Sequence, residues 1–128
     1  MTPPSPADLP TPDAAAGLER IADALHDLLH ARALSIGLLE VAVEVNDWYI
    51  DGEALFTEGP DIGFSLDVQD GDCRYCELLG DSDEQWLEHQ VTGLDPAAAD
   101  RAGDEARTAL AITVLDGLLT ARRPLLKR

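Results

Sequence analysis

The stretch that decides the fold is LLEVAVEVNDWYIDGEALFTEGPDIGFSLDVQDGDCRYCELL, residues 38–79. Its first strand alternates apolar and polar positions: Leu39, Val41, Val43 and Val45 against Glu40, Ala42, Glu44 and Asn46. A period of two is typical of a β-strand that buries one face and exposes the other. Turn-forming residues recur along the stretch, so it predicts a four-stranded antiparallel β-meander.

The turns of this meander differ in how clearly the sequence defines them. In the first hairpin, Asn46–Asp47 and Asp51–Gly52 are competing turns, so the register stays open. In the second hairpin, Asp70–Gly71 predicts a two-residue turn that pairs Asp67 with Arg74. Opposite charges facing each other across two strands favour that register.

A proline-rich segment and a helix precede the sheet. Residues 1–12 contain five prolines, which predict an extended, flexible tail. Asp13 is the expected N-cap of a helix with apolar residues every three or four positions, and Gly37 is its expected stop.

Two helices are predicted after the sheet. Asp81 or Ser82 is the expected cap of a short helix around Trp86. Asp95–Pro96 is the expected start of a long helix that runs to about Arg123. The fold prediction is therefore α+β, with an N-terminal helix, the meander, and two C-terminal helices packed on one sheet face. We expect one domain over residues 13–123 and a short basic tail over 124–128.

The charge is strongly unbalanced. The chain has 25 acidic and 9 basic residues, a net charge of −16, and four of the bases fall in the last seven residues. Such a body repels a phosphate backbone, so we expect no direct nucleic-acid binding and an attraction to basic partners. The sequence shows no signal peptide and no membrane-spanning run, and we expect a cytoplasmic protein.

Known chemical signatures are missing from the sequence. It contains no glycine-rich phosphate loop and no nucleophile elbow, and we expect no cofactor. A lone CxxC, Cys73 and Cys76, could form a zinc site with His26 and His30. Cysteines three apart on a strand face opposite sides of the sheet, however, which argues against shared metal ligation.

The leading hypothesis is a small acidic, non-enzymatic protein-binding module that engages a basic protein partner. Its size and charge are those of immunity proteins, antitoxin partners, secretion chaperones and nucleic-acid mimics, although no motif distinguishes among these. The partner would bind the outer sheet face, through Glu40, Glu44, Tyr49, Asp51, Glu53 and Asp67.

Two alternatives belong to other functional classes. In the first, an enzymatic or small-molecule-binding domain has a pocket between the sheet and the helices. That pocket would be lined by Trp48, Cys73, Tyr75, Glu77 and His26. In the second, a structural protein forms a homodimer through the apolar C-terminal helix. Its contact residues would be Leu110, Val114, Leu115, Leu118 and Leu119.

Overall fold

A computed structural model describes residues 9–127, so most of the predicted 1–12 tail lies outside the described residues. The elements are α1 (Pro12–Ala31), α2 (Ala33–Ile36), β1 (Leu38–Asn46), β2 (Tyr49–Phe56), β3 (Asp61–Asp67), β4 (Asp72–Gly80), β5 (Asp83–Val91), α3 (Pro96–Ala102) and α4 (Asp104–Arg122). A 3-10 turn, Arg123–Lys127, occupies most of the predicted basic tail. The α+β class predicted from the sequence is confirmed.

The first helix begins slightly earlier than the sequence indicated. The hydroxyl of Thr11, rather than the carboxylate of Asp13, caps α1 by accepting a 3.2 Å hydrogen bond from the N–H of Ala14. Pro12 fills the first helical position, where its missing N–H costs nothing. Gly37 ends α2 in the left-handed conformation, with φ of 73°, as expected for a helix stop.

The sheet has five strands in the order β1-β2-β3-β4-β5, so the prediction of four strands was wrong. The segment around Trp86 that was interpreted as a short helix is the edge strand β5. Asp81 and Ser82, the expected helix caps, form the turn between β4 and β5, with φ of 51° and 69°. Positive φ at both central positions is the geometry of a type I′ hairpin turn.

The register of the second hairpin differs from the prediction by two residues. Asp67 faces Asp72 instead of Arg74, which leaves four residues in the loop. The carboxylate of Asp67 explains the difference. Its Oδ1 accepts hydrogen bonds from the N–H groups of Gln69 at 3.0 Å and Asp70 at 3.1 Å. The predicted pairing with Arg74 is therefore replaced by a side chain that organises the loop.

The first hairpin uses neither of the turns considered from the sequence. Asn46 pairs with Tyr49, so the turn is Asp47–Trp48. Asp47 has φ of 53°, a left-handed conformation that aspartate tolerates better than most residues. The carbonyl of Trp48 accepts a 3.0 Å hydrogen bond from the N–H of Val68, which joins this turn to the β3–β4 loop.

Helices α1 and α4 pack on one face of the sheet, and the core lies between these two helices and the sheet. Helix α3 packs against α1 and α4. The buried side chains are Leu18, Ile21, Leu25 and Leu29 of α1, Leu110, Val114, Leu115 and Leu118 of α4, and Ile50, Ile62, Phe64, Leu66, Cys73 and Tyr75 of the sheet. None of the described helices is both long and apolar enough to cross a membrane.

Helix α4 lies very close to the sheet at Tyr75. The Tyr75 hydroxyl donates a 2.7 Å hydrogen bond to the carbonyl of Val114. Gly117 makes this approach possible, because a Cβ at that position would lie 2.9 Å from Cζ of Tyr75 and 2.6 Å from Cγ2 of Val91. Burial among these apolar groups raises the pKa of the Tyr75 hydroxyl far above its usual range, so the hydroxyl stays protonated and donates.

The predicted long C-terminal helix is divided in two. Asp95 caps α3 as expected, with its Oδ1 accepting a 3.1 Å hydrogen bond from the N–H of Ala98. Gly103, with φ of 118°, ends α3, and α4 starts at Asp104. The start of the polar, alanine-rich first half of the predicted helix is thus a separate short helix, which packs against α1 and α4.

Asp100 connects the three larger helices. Both of its carboxylate oxygens accept 2.8 Å hydrogen bonds from Arg20 of α1. Its Oδ1 also accepts a 3.0 Å bond from Arg107 of α4. The hydrogen bonds from Arg20 favour the charged carboxylate and hold the pKa of Asp100 below its usual range.

Arg122 attaches the end of α4 to the loop between β2 and β3. Its Nε donates a 2.9 Å hydrogen bond to the carbonyl of Pro60, and a second nitrogen donates to the carbonyl of Glu58. The guanidinium lies 3.6 Å from the centre of the Phe56 ring, in cation–π geometry. This otherwise costly buried charge is therefore satisfied by two carbonyls and an aromatic face.

Candidate functional site

The face of the sheet opposite the helices carries a hollow of about 640 Å³. The register aligns outward-facing residues in rows across the strands. One row is Ala42, Glu53, Gly63, Cys76 and Trp86, and the next begins with Glu44, Asp51, Ser65 and Arg74. We use "outer hollow" for the space lined by the first row together with Glu44, Asp51, Ser65, Leu78 and Glu84. It reaches from one edge strand to the other, and Arg74 stands beside it, next to Trp86.

The β1–β2 side of the outer hollow is acidic. Glu44 and Asp51 face each other directly across the two strands, an arrangement that is unfavourable for like charges. The amide of Asn46 donates to Asp51 at 2.9 Å and to Glu44 at 3.2 Å, and the Ser65 hydroxyl donates to Asp51 at 2.6 Å. Neutral donors thus hold the two carboxylates in place, and their negative charge remains on the surface.

The β4–β5 side is mainly apolar and carries one carboxylate, that of Glu84. Trp86 is 43% exposed and stands beside the half-buried Leu78. The guanidinium of Arg74 lies 4.9 Å from the centre of the Trp86 ring and covers part of it. Arg74 is the only base among the outward-facing strand residues of the described chain. The outer hollow therefore has an acidic wall and a mainly apolar wall that includes Glu84, and the positive charge of Arg74 lies beside the apolar wall.

The thiol of Cys76 forms part of the floor. It is 3% exposed, and its Sγ lies 3.8 Å from Oε2 of Glu84. Burial, with a smaller contribution from the Glu84 charge, raises the pKa of this thiol to about 11. At neutral pH the sulfur is therefore protonated and a poor nucleophile, so it acts as a small packing group here.

All six residues predicted for a partner surface lie on the outer face. Glu44, Asp51 and Glu53 line the outer hollow. Glu40 lies beyond it on β1, Tyr49 is 45% exposed near the turn, and Asp67 is engaged in the β3–β4 loop. The structure thus brings the five predicted acids onto one surface, and three of them line the outer hollow.

The β4–β5 wall of the outer hollow was not predicted from the sequence. Trp86 and Glu84 were assigned to a helix, which removed them from the sheet, although both line the outer hollow. The alternation of Leu87, His89 and Val91 with polar neighbours is a period-two signal that could have indicated a strand.

The predicted pocket between the sheet and the helices is filled by core side chains. Cys73 and Tyr75 are fully buried, and Glu77 is 7% exposed on the inner face. Burial raises the pKa of Cys73 to about 12. These three residues share a strand and a face, but they pack into the core and leave no pocket of the kind predicted.

The other two residues of that predicted pocket lie elsewhere. Trp48 is partly buried in a crease of about 350 Å³ between α1 and α3, and its Nε1 has no hydrogen-bond partner within the described residues. His26 is half-exposed on α1, with its ring centre 6.0 Å from that of His30. The predicted set is therefore not brought together.

The apolar face of α4 is used within the chain. Leu110, Val114, Leu115 and Leu118 are buried against the sheet and α1, and Leu119 is partly buried against the same core. These side chains are not available to a second copy, so they cannot form the dimer contact expected from the sequence. The first helix completes the burial that the sequence analysis left open.

The CxxC pair lies on opposite faces of β4, as strand geometry predicted. Cys73 pairs with Leu66 and Val91 on the inner face, and Cys76 pairs with Gly63 and Trp86 on the outer face. Within residues 9–127, no three metal-binding side chains come together.

Comparison with protein-family models, with curated proteins and with solved structures finds no match for this chain.

Proposed function

We propose that the protein is a non-enzymatic binding module that engages a basic protein partner through its outer sheet face. The observation that carries this proposal is the outer hollow, whose rim holds the carboxylates of Glu44, Asp51, Glu53 and Glu84. None of the ion pairs found within residues 9–127 involves these four acids. Their charge is therefore available to lysines or arginines from outside.

Electrostatics of this kind affects association more than fold. The net charge of −16 attracts a cationic partner over a distance, and the carboxylates then select its orientation. Because the acids are exposed, their attraction is screened over about 8 Å at physiological ionic strength. Binding through this face should weaken steeply as salt is added.

A charge-matched pair of variants tests the proposal. The first is Glu44→Gln, Glu53→Gln and Glu84→Gln in the outer hollow, and the second is Glu19→Gln, Asp23→Asn and Asp27→Asn on α1. All six residues are exposed, and each variant removes three negative charges. The measurement is binding of an arginine-rich synthetic peptide by isothermal titration calorimetry at low and at physiological salt.

The affinity of the hollow variant for the peptide should fall about 10-fold. Each exposed charge pair contributes roughly 0.5 kcal/mol, and the variant removes three of them. The α1 variant should lose much less, since its charges lie on the other side of the sheet. Equal losses in the two variants would show that only overall charge matters, and the proposal would then fail. Absence of salt-sensitive binding by the unmodified protein would also refute it.

A further inference from the structure

The two walls of the outer hollow differ in chemistry, and that difference restricts the occupant. Three acids, Glu44, Asp51 and Glu53, line the β1–β2 side, while the β4–β5 side has Leu78, Cys76 and Trp86 with the single acid Glu84. A purely cationic, flexible segment would satisfy the first wall and leave the second exposed to water. An occupant with a basic flank and an apolar flank would satisfy both.

Small groups form the floor of the outer hollow. Gly63 has no side chain, and an added Cβ there would lie 2.8 Å from Sγ of Cys76 and 3.1 Å from Cδ2 of Leu78. Gly63 and Cys76 are both buried, so the neighbouring Cys76 and Leu78 close the floor over the centre strand. Any side chain at this position would push against the apolar wall and raise the floor.

The dimensions and the hydrogen bonding favour a helix. Five strands at about 4.8 Å spacing place the edge strands roughly 19 Å apart, and an α-helix with side chains is about 10–12 Å wide. Because β3 is paired on both sides, its backbone has no hydrogen bonds left for an extended segment lying over it. A helix satisfies its own backbone and can contact both walls with residues three and four apart.

Arg74 sets the orientation of the occupant. Its guanidinium stands over Trp86 on the apolar side, where it covers part of the ring and repels other cations. A bound basic flank should therefore point away from Arg74 and toward Glu44 and Glu53. Removal of this charge would also uncover the face of Trp86 for an apolar anchor residue.

We infer that the outer hollow recognises a basic amphipathic helix of a partner protein, with lysines or arginines against β1–β2 and an apolar anchor against Trp86. This inference rests on the proposed function and adds the structural class of the partner segment. Recognition of an amphipathic helix in a groove depends on anchor residues at helical spacing.

Two peptides of identical composition test the inference. Each has 14 residues of lysine, leucine and alanine, a length of about 21 Å as a helix. In one, the lysines and leucines occupy adjacent helical faces, and in the other the same residues are distributed around the helix. The amphipathic peptide should bind at least 10-fold more tightly and gain helical circular dichroism on binding.

Variants of the protein then test whether the wall that contains Trp86 binds the apolar face of the peptide. Trp86→Ala should weaken binding of the amphipathic peptide about 10-fold, as expected for a truncated aromatic anchor, and should leave the distributed peptide unaffected. Leu79→Ala is the matched control, because Leu79 is 53% exposed but does not line the outer hollow. Arg74→Gln should strengthen binding of the amphipathic peptide several-fold.

The outcomes separate this inference from the proposed function. Equal binding of the two peptides would overturn the helix inference while leaving an acidic binding module in place. Weaker binding by Arg74→Gln would also overturn it, since the arginine would then be a contact residue. Failure of both peptides to bind would refute the proposed function itself.

Discussion

Replacing Gly117 with alanine should destabilise the protein, because the added methyl group has no room between α4 and the sheet. Its Cβ would lie 2.6 Å from Cγ2 of Val91 and 2.9 Å from Cζ of Tyr75. Tyr75 cannot swing aside, since its ring is fully buried and its hydroxyl is bonded to the carbonyl of Val114. Helix α4 would have to move away from β4.

Three contributions determine the change in the free energy of unfolding. Alanine is a better helix former than glycine by about 1 kcal/mol, which favours the variant. Overpacking of a close-packed interior costs about 1–3 kcal/mol, and loss of the tyrosine hydrogen bond costs about 1 kcal/mol more. The net effect is a destabilisation of about 1–3 kcal/mol. At roughly 4 °C per kcal/mol for a domain of this size, the melting temperature should fall by about 4–12 °C.

Urea unfolding followed by circular dichroism measures this change. Gly17→Ala in α1 is the control, because its Cβ would meet the ends of two partly exposed side chains, Oδ2 of Asp100 at 2.9 Å and a guanidinium nitrogen of Arg20 at 3.7 Å, and no buried ring. We expect that variant to lie within about 1 kcal/mol of the unmodified protein, since the helix-propensity gain offsets a small side-chain shift. Unchanged or increased stability of Gly117→Ala would refute the reasoning.

A double variant locates the clash. Tyr75→Phe alone should cost about 1 kcal/mol through the lost hydrogen bond. It also removes the hydroxyl oxygen, the atom nearest to the added methyl group of Gly117→Ala. The combined variant should therefore be less destabilised than the sum of the two single changes. Strict additivity would mean that the two positions do not interact as described.

Three other perturbations address separate parts of the molecule. Arg122→Leu should cost about 2–3 kcal/mol in urea unfolding, because two loop carbonyls lose a charged donor, whereas Arg123→Leu at an exposed position should change little. The lowered pKa of Asp100 means that its stabilising effect is present above its unfolded pKa of about 3.9 and is lost as the pH falls through its folded pKa. The stability difference between the unmodified protein and Asp100→Asn should therefore shrink below about pH 4, and a difference that is constant with pH would contradict this assignment. The raised pKa values of Cys73 and Cys76, about 12 and about 11, predict slow reaction of both thiols with Ellman's reagent at pH 8. Cys76 should react first because it lies at the outer hollow, and mass spectrometry of the partially modified protein would identify the site.

The error over β5 illustrates how pairing overrides local preference. Glutamate, glutamine and leucine in this segment favour a helix, and Asp81 and Ser82 suit a helix cap as well as a hairpin turn. The neighbouring β4 decides between these, because its outer edge offers unpaired backbone groups that a strand can satisfy. The alternation of Leu87, His89 and Val91 agrees with a strand, but it does not identify the strand that stands beside it.

The register errors have a different physical origin. The second hairpin is shifted by two residues from its predicted register. The first hairpin, whose register the sequence left open, is shifted by two from the register that an Asn46–Asp47 turn would give. A shift of two leaves every side chain on the same face. Alternation therefore identifies which residues face the core but does not identify their partners across the strands. The register is set by loop contacts, such as the hydrogen bonds to Asp67, that alternation does not encode.

For the candidate site, too, the sequence predicted which side chains face outward but not which of them lie next to each other. The outward direction of Glu44, Asp51 and Glu53 follows from alternation alone, so the acidic wall was found. The apolar wall depends on β5 and on the register of all five strands, which places Trp86 in one row with Glu53. A hollow is a property of several strands together, and no single stretch of sequence reports it.

The simple strand order has a consequence for how the chain folds. Each strand pairs with its neighbour in sequence, so the sheet can grow by short loop closures that cost little entropy. The helical layer is different, because α1 and α4 pack together from opposite ends of the chain. Until those ends meet, the apolar face of the meander is open to other molecules, and aggregation during refolding should depend on how quickly the terminal helices dock.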